Sequence, residues 1–215
     1  MPFTTLLFDL DDTLYPSGSG LWAAIRDRMG QYMIEQLGLP AEEVPAIRQH
    51  YYQTYGTTLR GLLANYPGRV DADDYLAYVH DLPLKDYIQP DPKLRQLLLT
   101  LHQPCWIFTN ADANHARRVL KVLGLDDCFS GIVDVLALGL ACKPDPQAYE
   151  RALTIVGETD PARCVLLDDA VHNLAPAHSL GFTTVLVGTT EANPVADYSI
   201  ASLYELPDAL PELRE

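Results

Sequence analysis

Three aspartates fall within four residues at Asp9-Leu10-Asp11-Asp12, followed by Thr13, directly after the apolar run Thr4–Phe8. Carboxylates crowded in this way repel one another unless a cation or a proton compensates them. In an extended chain Asp9 and Asp11 point the same way, so both can face one small volume. A turn needs one Asp rather than three, which favours chemistry over turn-making for this fragment. Two more apolar runs end in polar residues, and a further polar signal opens a helix. Thr109-Asn110 follows Cys105–Phe108; a hydroxyl and a backbone N–H at a strand end can hold an anionic oxygen, though the pair alone reads more readily as a turn or cap. Lys143-Pro144 precedes a helix starting near Asp145; alone, such a Lys is a solvated charge and such a Pro an ordinary helix start. Asp168-Asp169 closes Cys164–Leu167, with Asn173 four residues later. Two adjacent acids after a buried strand suit a hard divalent cation, whose natural ligands are carboxylate oxygens.

The elements that carry these residues explain why the four signals belong together. The runs Thr4–Phe8, Cys105–Phe108, Ile132–Val135, Cys164–Leu167 and Thr183–Val187 are continuously apolar rather than alternating. Helical patterns at Ala113–Leu123, Asp145–Val156 and Val171–Leu180 separate the later ones. This predicts a parallel sheet covered on both faces, with an edge strand and a short helix from Asp197 onward. Ligands bind such sheets beyond the carboxyl ends of the strands, where Thr109, Lys143 and the aspartates all fall. Together they form a divalent-metal and phosphate constellation.

Between 16 and 88 the strand signal vanishes. Leu21, Ile25, Met29, Met33 and Leu37 recur at helical spacing, and Pro40–Gln53, Thr58–Asn65 and Asp73–Asp81 also read as helices. Nine of the twelve tyrosines lie in or at the edge of this stretch (Tyr15, Tyr32, Tyr51, Tyr52, Tyr55, Tyr66, Tyr75, Tyr78 and Tyr87), whereas all five phenylalanines lie outside it. Packing alone does not demand that split, since Phe fills a core without needing a hydroxyl partner.

The chain has 215 residues, 48% of them apolar, enough for a substantial core and inconsistent with disorder. Fifteen Lys and Arg against 29 Asp and Glu give a formal charge of −14. With no basic run, this field argues against polymeric nucleic acid as a partner. The N-terminal Met1-Pro2-Phe3-Thr4-Thr5-Leu6-Leu7 lacks a basic stretch and a long apolar one, so no signal peptide is expected. No apolar run approaches the roughly 18 residues of a membrane span. Cys105, Cys128, Cys142 and Cys164 lie far apart without a CxxC pair. They read as reduced thiols of a cytoplasmic protein rather than a zinc or redox motif.

In order and spacing the motifs resemble those of the haloacid dehalogenase superfamily of phosphohydrolases. Asp9-Leu10-Asp11-Asp12-Thr13 resembles its first motif, Thr109 its second, Lys143 its third and Asp168-Asp169 its fourth. The resemblance implies a Rossmann-like α/β core over 1–15 and 89–215, with an all-helical C1-type cap over 16–88 inserted after strand one. The strings Phe108-Thr109-Asn110-Ala111-Asp112, His115-Ala116 and Tyr55-Gly56-Thr57-Thr58-Leu59-Arg60-Gly61-Leu62 are similar to those of its pyrimidine 5′-nucleotidase branch.

By that resemblance Asp9 is the nucleophile that forms an aspartyl-phosphate, and Asp11 the general acid and then base. Thr109 and the Asn110 backbone hold the phosphoryl oxygens, and Lys143 offsets charge on the nucleophile and phosphoryl group. Mg²⁺ is held by Asp9, the backbone carbonyl of Asp11 and Asp169, with Asp168 acting directly or through water. Asn173 supports these ligands. His115 and His172 are near the site in sequence, with a packing or surface role as the alternative. Asp11 argues against carbon–halogen cleavage, because the dehalogenase members lack an aspartate two residues after the nucleophile. Substrate choice is expected in the cap, with Thr57 and Arg60 as contacts to a pyrimidine nucleoside monophosphate. The expected partner is thus a small phosphate monoester, bound by a monomer or homodimer without a membrane. Sugar phosphatase or phosphomutase chemistry remains an alternative, as does a non-catalytic phospho-receiver or scaffold. The acidic motifs supply five of the negative charges, which Mg²⁺ and Lys143 would offset locally.

Overall fold

Thr5–Phe8 forms the first strand, β1, and all four of its residues are buried. A run without polar alternation buries both faces, as a strand between two helical layers must. The structure, a computed structural model, describes Phe3–Arg214; Met1, Pro2 and Glu215, which the sequence reading included in its first string and core range, lie outside the described residues. The chain divides into two compact units, one holding the chain up to Gly18 and from Ile88 onward, the other Ser19–Tyr87.

Ser19–Tyr87 is helical, with α1 (Leu21–Glu35), α2 (Val44–Tyr55), α3 (Thr58–Asn65) and α4 (Ala72–His80). Helix α2 starts four residues later than the expected Pro40–Gln53, because 41–43 turn before Pro45 enters the first helical turn. Thr57 caps α3, its side chain accepting from the Arg60 N–H at 3.2 Å. Asp71 caps α4 in the same way, accepting from Asp74 N–H at 3.1 Å. Four tyrosines pack within this unit. Tyr32 meets Tyr75 and Tyr78 edge-on, with ring centroids 5.0 and 5.4 Å apart. Tyr51 packs so close to Gly61 that a Cβ there would lie 2.2 Å from its ring, so glycine lets α2 and α3 approach.

The α/β unit continues with α5 (Pro92–Leu98), β2 (Cys105–Phe108), α6 (Ala113–Leu123), β3 (Gly131–Val133), α7 (Pro146–Val156), β4 (Cys164–Asp168), α8 (Val171–Leu180), β5 (Thr183–Val187), β6 (Tyr198–Ile200) and α9 (Leu206–Ala209). Helix α5 escaped the sequence reading. It has seven residues, too few for a periodic signal, and rests on Asp91 accepting from Leu94 N–H at 2.8 Å. Strand β3 ends at Val133 rather than Val135, because Asp134 turns the chain, its carboxylate accepting from Ala113 and Ala137 N–H groups at 2.8 Å each.

Among the described residues the sheet has six strands in the order β3-β2-β1-β4-β5-β6, all paired in parallel. Phe8 aligns with Ile107 on one side and Leu167 on the other. The fold is thus a Rossmann-like α/β sheet whose order reverses between β1 and β4, the point at which such sheets open a crevice for ligands. One face packs Leu7, Phe108 and Leu166 against Ala148, Tyr149 and Ala152 of α7 and Leu174 and Ala177 of α8. Phe108 and Tyr149 meet edge-on at 5.5 Å. Leu6 and Phe8 point to the opposite face, also fully buried. Each such side chain contributes about 1.5–3 kcal/mol by leaving water. That rigid sheet sets the position of every strand end. Among the described residues no helix is long and apolar enough to cross a membrane.

Candidate active site

Asp9, the residue after β1, is tied to the neighbouring strand by its own N–H, which donates to the Leu167 carbonyl at 2.8 Å. Its carboxylate therefore lies beside the end of β4, where Asp168 and Asp169 follow. Lys143 reaches this point from the loop before α7. Its Nζ donates to Asp9 Oδ1 at 2.8 Å and to Asp168 Oδ2 at 2.6 Å. At 1% exposure Lys143 is a buried cation rather than a surface charge, which decides between its two sequence readings. Burial alone would lower its pKa, but the carboxylates of Asp168 and Asp9 outweigh burial and hold it above the ordinary lysine value. It is therefore charged at neutral pH.

The aspartates carry more negative charge than Lys143 can offset. Burial raises the Asp9 carboxyl well above the usual range; Lys143 opposes this, while Asp168 and Asp169 add to it. Burial, together with Asp168 and Asp12, pushes Asp169 up to about 6. Thr13 links these two carboxylates. Its hydroxyl lies 3.2 Å from Asp9 Oδ2 and 3.3 Å from Asp169 Oδ1, and it accepts from the Asp169 N–H at 3.1 Å. One hydroxyl proton cannot satisfy both acids at once.

Oxygen atoms of Asp9, Asp168 and Asp169 lie within 4.8 Å of one another. The three carboxylates face one lysine, and a hard divalent cation among these oxygens would remove the excess charge. The donor set fits such an ion. Asp168 is the most engaged of the three: Lys143, the Ala170 N–H at 2.9 Å and Asn173 Nδ2 at 3.0 and 3.1 Å all donate to it. Asp9 and Asp169 are accordingly the more available donors.

Thr109, the residue after β2, is 1% exposed and donates its N–H to the Val133 carbonyl at 3.0 Å, while its Oγ1 accepts from Ala111 N–H at 3.0 Å. The side chain of Asn110, for which sequence suggested only a backbone role, brackets Lys143. Its Nδ2 donates to the Lys143 carbonyl at 2.9 Å and its Oδ1 accepts the Lys143 N–H at 2.8 Å. The Lys143–Pro144 peptide bond held there is cis.

Asp11 sits in the turn that follows Asp9. Its Oδ1 accepts from the Tyr15 hydroxyl at 2.5 Å and lies 3.0 Å from His115 Nε2. His115 is thus a buried partner of the site, whereas His172 stands exposed on α8. Tyr15 counts in the sequence only among the tyrosines at the edge of the helical stretch; its spacing of four from Asp11 is the signal that could have placed it at the site. Thr57 and Arg60 belong to the helical unit, where Thr57 caps α3.

A family model described as haloacid dehalogenase-like hydrolase matches residues 3–181. The chain is 34% identical over 195 residues to Phosphate metabolism protein 8 of Saccharomyces cerevisiae, covering 83% of this chain and 60% of the yeast protein. It is 30% identical over 190 residues to a phosphoglycolate phosphatase of Neisseria meningitidis, covering 83% of this chain and 77% of that protein. Among solved structures it resembles the putative hydrolase YfnB of Bacillus subtilis, with a TM-score of 0.65 at 18% identity over 98% of this chain and 99% of the other. The charged core at the switch point and the match along most of the sequence agree: the chain belongs to the haloacid dehalogenase-like hydrolase family.

Proposed function

We propose that this chain is a Mg²⁺-dependent phosphomonoester hydrolase working through an aspartyl-phosphate on Asp9, with pyrimidine nucleoside 5′-monophosphates as its substrates. The observation that carries the reading is the Asp9 carboxylate, held by Lys143 at 2.8 Å beside Asp168 and Asp169, with Asp11 two residues on. The oxygen-rich cluster and the magnesium-bound state named for the Bacillus relative support the choice of metal. Mg²⁺ would be held by Asp9 and Asp169, with Asp168 nearby, and would supply charge neutralisation for a phosphate dianion.

The chain's own residues divide the work. Asp9 attacks phosphorus as the ester P–O bond breaks, and Asp11 gives its proton to the departing oxygen. Water then loses a proton to Asp11 and attacks phosphorus, and the bond to Asp9 breaks, returning both carboxyls to their starting states. Thr109 and the Asn110 backbone hold the phosphoryl oxygens, and Lys143 orients Asp9 while offsetting charge. None of these groups reads the alcohol portion. For that, Thr57 and Arg60 are the proposed contacts, supported by the similarity of Tyr55–Leu62 to the nucleotidase branch.

A second reading has its own support. The Neisseria relative's name points to a small carboxylated phosphate ester as substrate. Phosphate release from UMP, CMP, phosphoglycolate and sugar phosphates at fixed Mg²⁺ tests both, with Asp9→Asn as the blank. Fastest turnover of UMP and CMP is expected. Negligible activity on them beside rapid turnover of another ester would overturn the nucleotidase assignment.

A further inference from the structure

The turn after β1 folds Tyr15 back onto Asp11. Leu14 N–H donates to the Leu10 carbonyl at 3.0 Å, and Asp12 takes a left-handed φ of 63°. This turn folds the chain back on itself, so the Tyr15 hydroxyl meets Asp11 Oδ1 at 2.5 Å. The second partner arrives from a different strand. His115 lies in the first turn of α6, fixed by its N–H donating to the cap residue Asp112 at 3.0 Å. Its ring reaches the same oxygen, Nε2 to Oδ1, at 3.0 Å. Both partners are rigid, since Tyr15 is 3% and His115 1% exposed. A tyrosine hydroxyl carries a proton that it can donate to a carboxyl oxygen.

We propose that Tyr15 and His115 are positioning residues for the general acid: with the His115 ring proton on Nε2, both donate to Asp11 Oδ1, and the proton delivered to the departing oxygen is carried on Oδ2. A carboxylic acid whose proton sits on one defined oxygen needs no rotation before transfer, the kind of preorganisation that raises the rate of the step itself. In that step the Oδ2–H bond breaks, the proton joins the departing oxygen, and the ester P–O electrons stay on that oxygen. This inference rests on the hydrolase reading above and adds which residues aim its acid.

The test compares kcat/KM for the fastest alkyl phosphate of the panel with kcat/KM for p-nitrophenyl phosphate, in wild type, Tyr15→Phe, His115→Leu and His115→Gln. The parameter kcat/KM reports steps through departure of the alcohol, and p-nitrophenolate leaves without a proton whereas an alkoxide does not. Tyr15→Phe and His115→Leu are expected to lose at least about tenfold on the alkyl ester, part of the 10²–10⁴-fold typical of general acid catalysis. On p-nitrophenyl phosphate they should lose less than about threefold, and His115→Gln, which keeps an N–H donor, should recover most of the alkyl activity. Equal losses on both esters, or no loss on the alkyl ester, would overturn the positioning role alone. Wild type that hydrolyses neither ester with Mg²⁺ would overturn the hydrolase reading itself.

Discussion

The side chain of Asn110 grips Lys143 by its main chain, donating to the carbonyl at 2.9 Å and accepting the N–H at 2.8 Å. The amide thereby fixes the backbone from which the buried ammonium reaches Asp9 and Asp168. Asn110→Ala deletes both bonds and leaves polar main-chain groups of a part-buried loop unmatched, at a cost of about 1–3 kcal/mol. A displaced Lys143 misorients Asp9, and misplacement by about 1 Å lowers turnover on the order of 10²-fold. Urea melts and kcat measured side by side should show both effects; unchanged kcat in a folded variant would show that Asn110 does not set the lysine.

Lys143 itself carries the larger energetic role. Lys143→Met leaves Asp9 and Asp168 buried without their cation, and breaking a buried pair from one side costs about 3–5 kcal/mol. The urea midpoint should fall accordingly at neutral pH. A midpoint at or above that of wild type would mean that the aspartates are protonated in the native protein.

Metal addition should stabilise the fold through the same carboxylates. A ligand at about 100 times its Kd adds about 2.7 kcal/mol, so Mg²⁺ is expected to raise Tm in wild type. Asp169→Asn removes a donor oxygen from the cluster and should lose most of that rise. An undiminished rise in the variant would place the ion elsewhere.

Acid sensitivity has a separate origin far from the aspartates. Glu158 accepts from the Thr4 hydroxyl and from the N–H groups of Thr159 and Asp160, which lower its carboxyl to about 2 from 4.5. Because the folded pKa is depressed, its contribution is present above pH 4.5 and is lost as pH falls from there through about 2. Thermal melts across that window should show a shallower loss of stability in Glu158→Gln than in wild type. Parallel curves would contradict this.

Much of the fold was legible because parallel strands are continuous apolar runs and their helices are periodic. Val171–Leu180 and Ala113–Leu123 were readable residue for residue, the latter ending at Gly124 with its positive φ of 72°. The seven residues of α5 span barely two turns and left no such trace. Within the site, Asp9 and Asp168 stood out because charge at the end of an apolar strand is locally conspicuous, whereas Lys143, in the loop before α7, gained its meaning only from the order of the other motifs. The Asn110 bracket was invisible, since it joins residues 33 apart by side chain to main chain. The Asp11–His115 contact spans 104 residues and depends on the pairing of β1 with β2, which no local pattern records. The Tyr/Phe split left packing and ligand contact both open, and Tyr32, Tyr51 and Tyr75 are buried within the helical unit.

The most direct test of aspartyl-phosphate chemistry is acid quenching of the protein during turnover of a ³²P-labelled nucleoside monophosphate with Mg²⁺, followed by peptide mapping. Label on the peptide carrying Asp9, absent from Asp9→Asn, is the expected result. Turnover without any label on that peptide, or label retained in Asp9→Asn, would contradict Asp9 as the nucleophile.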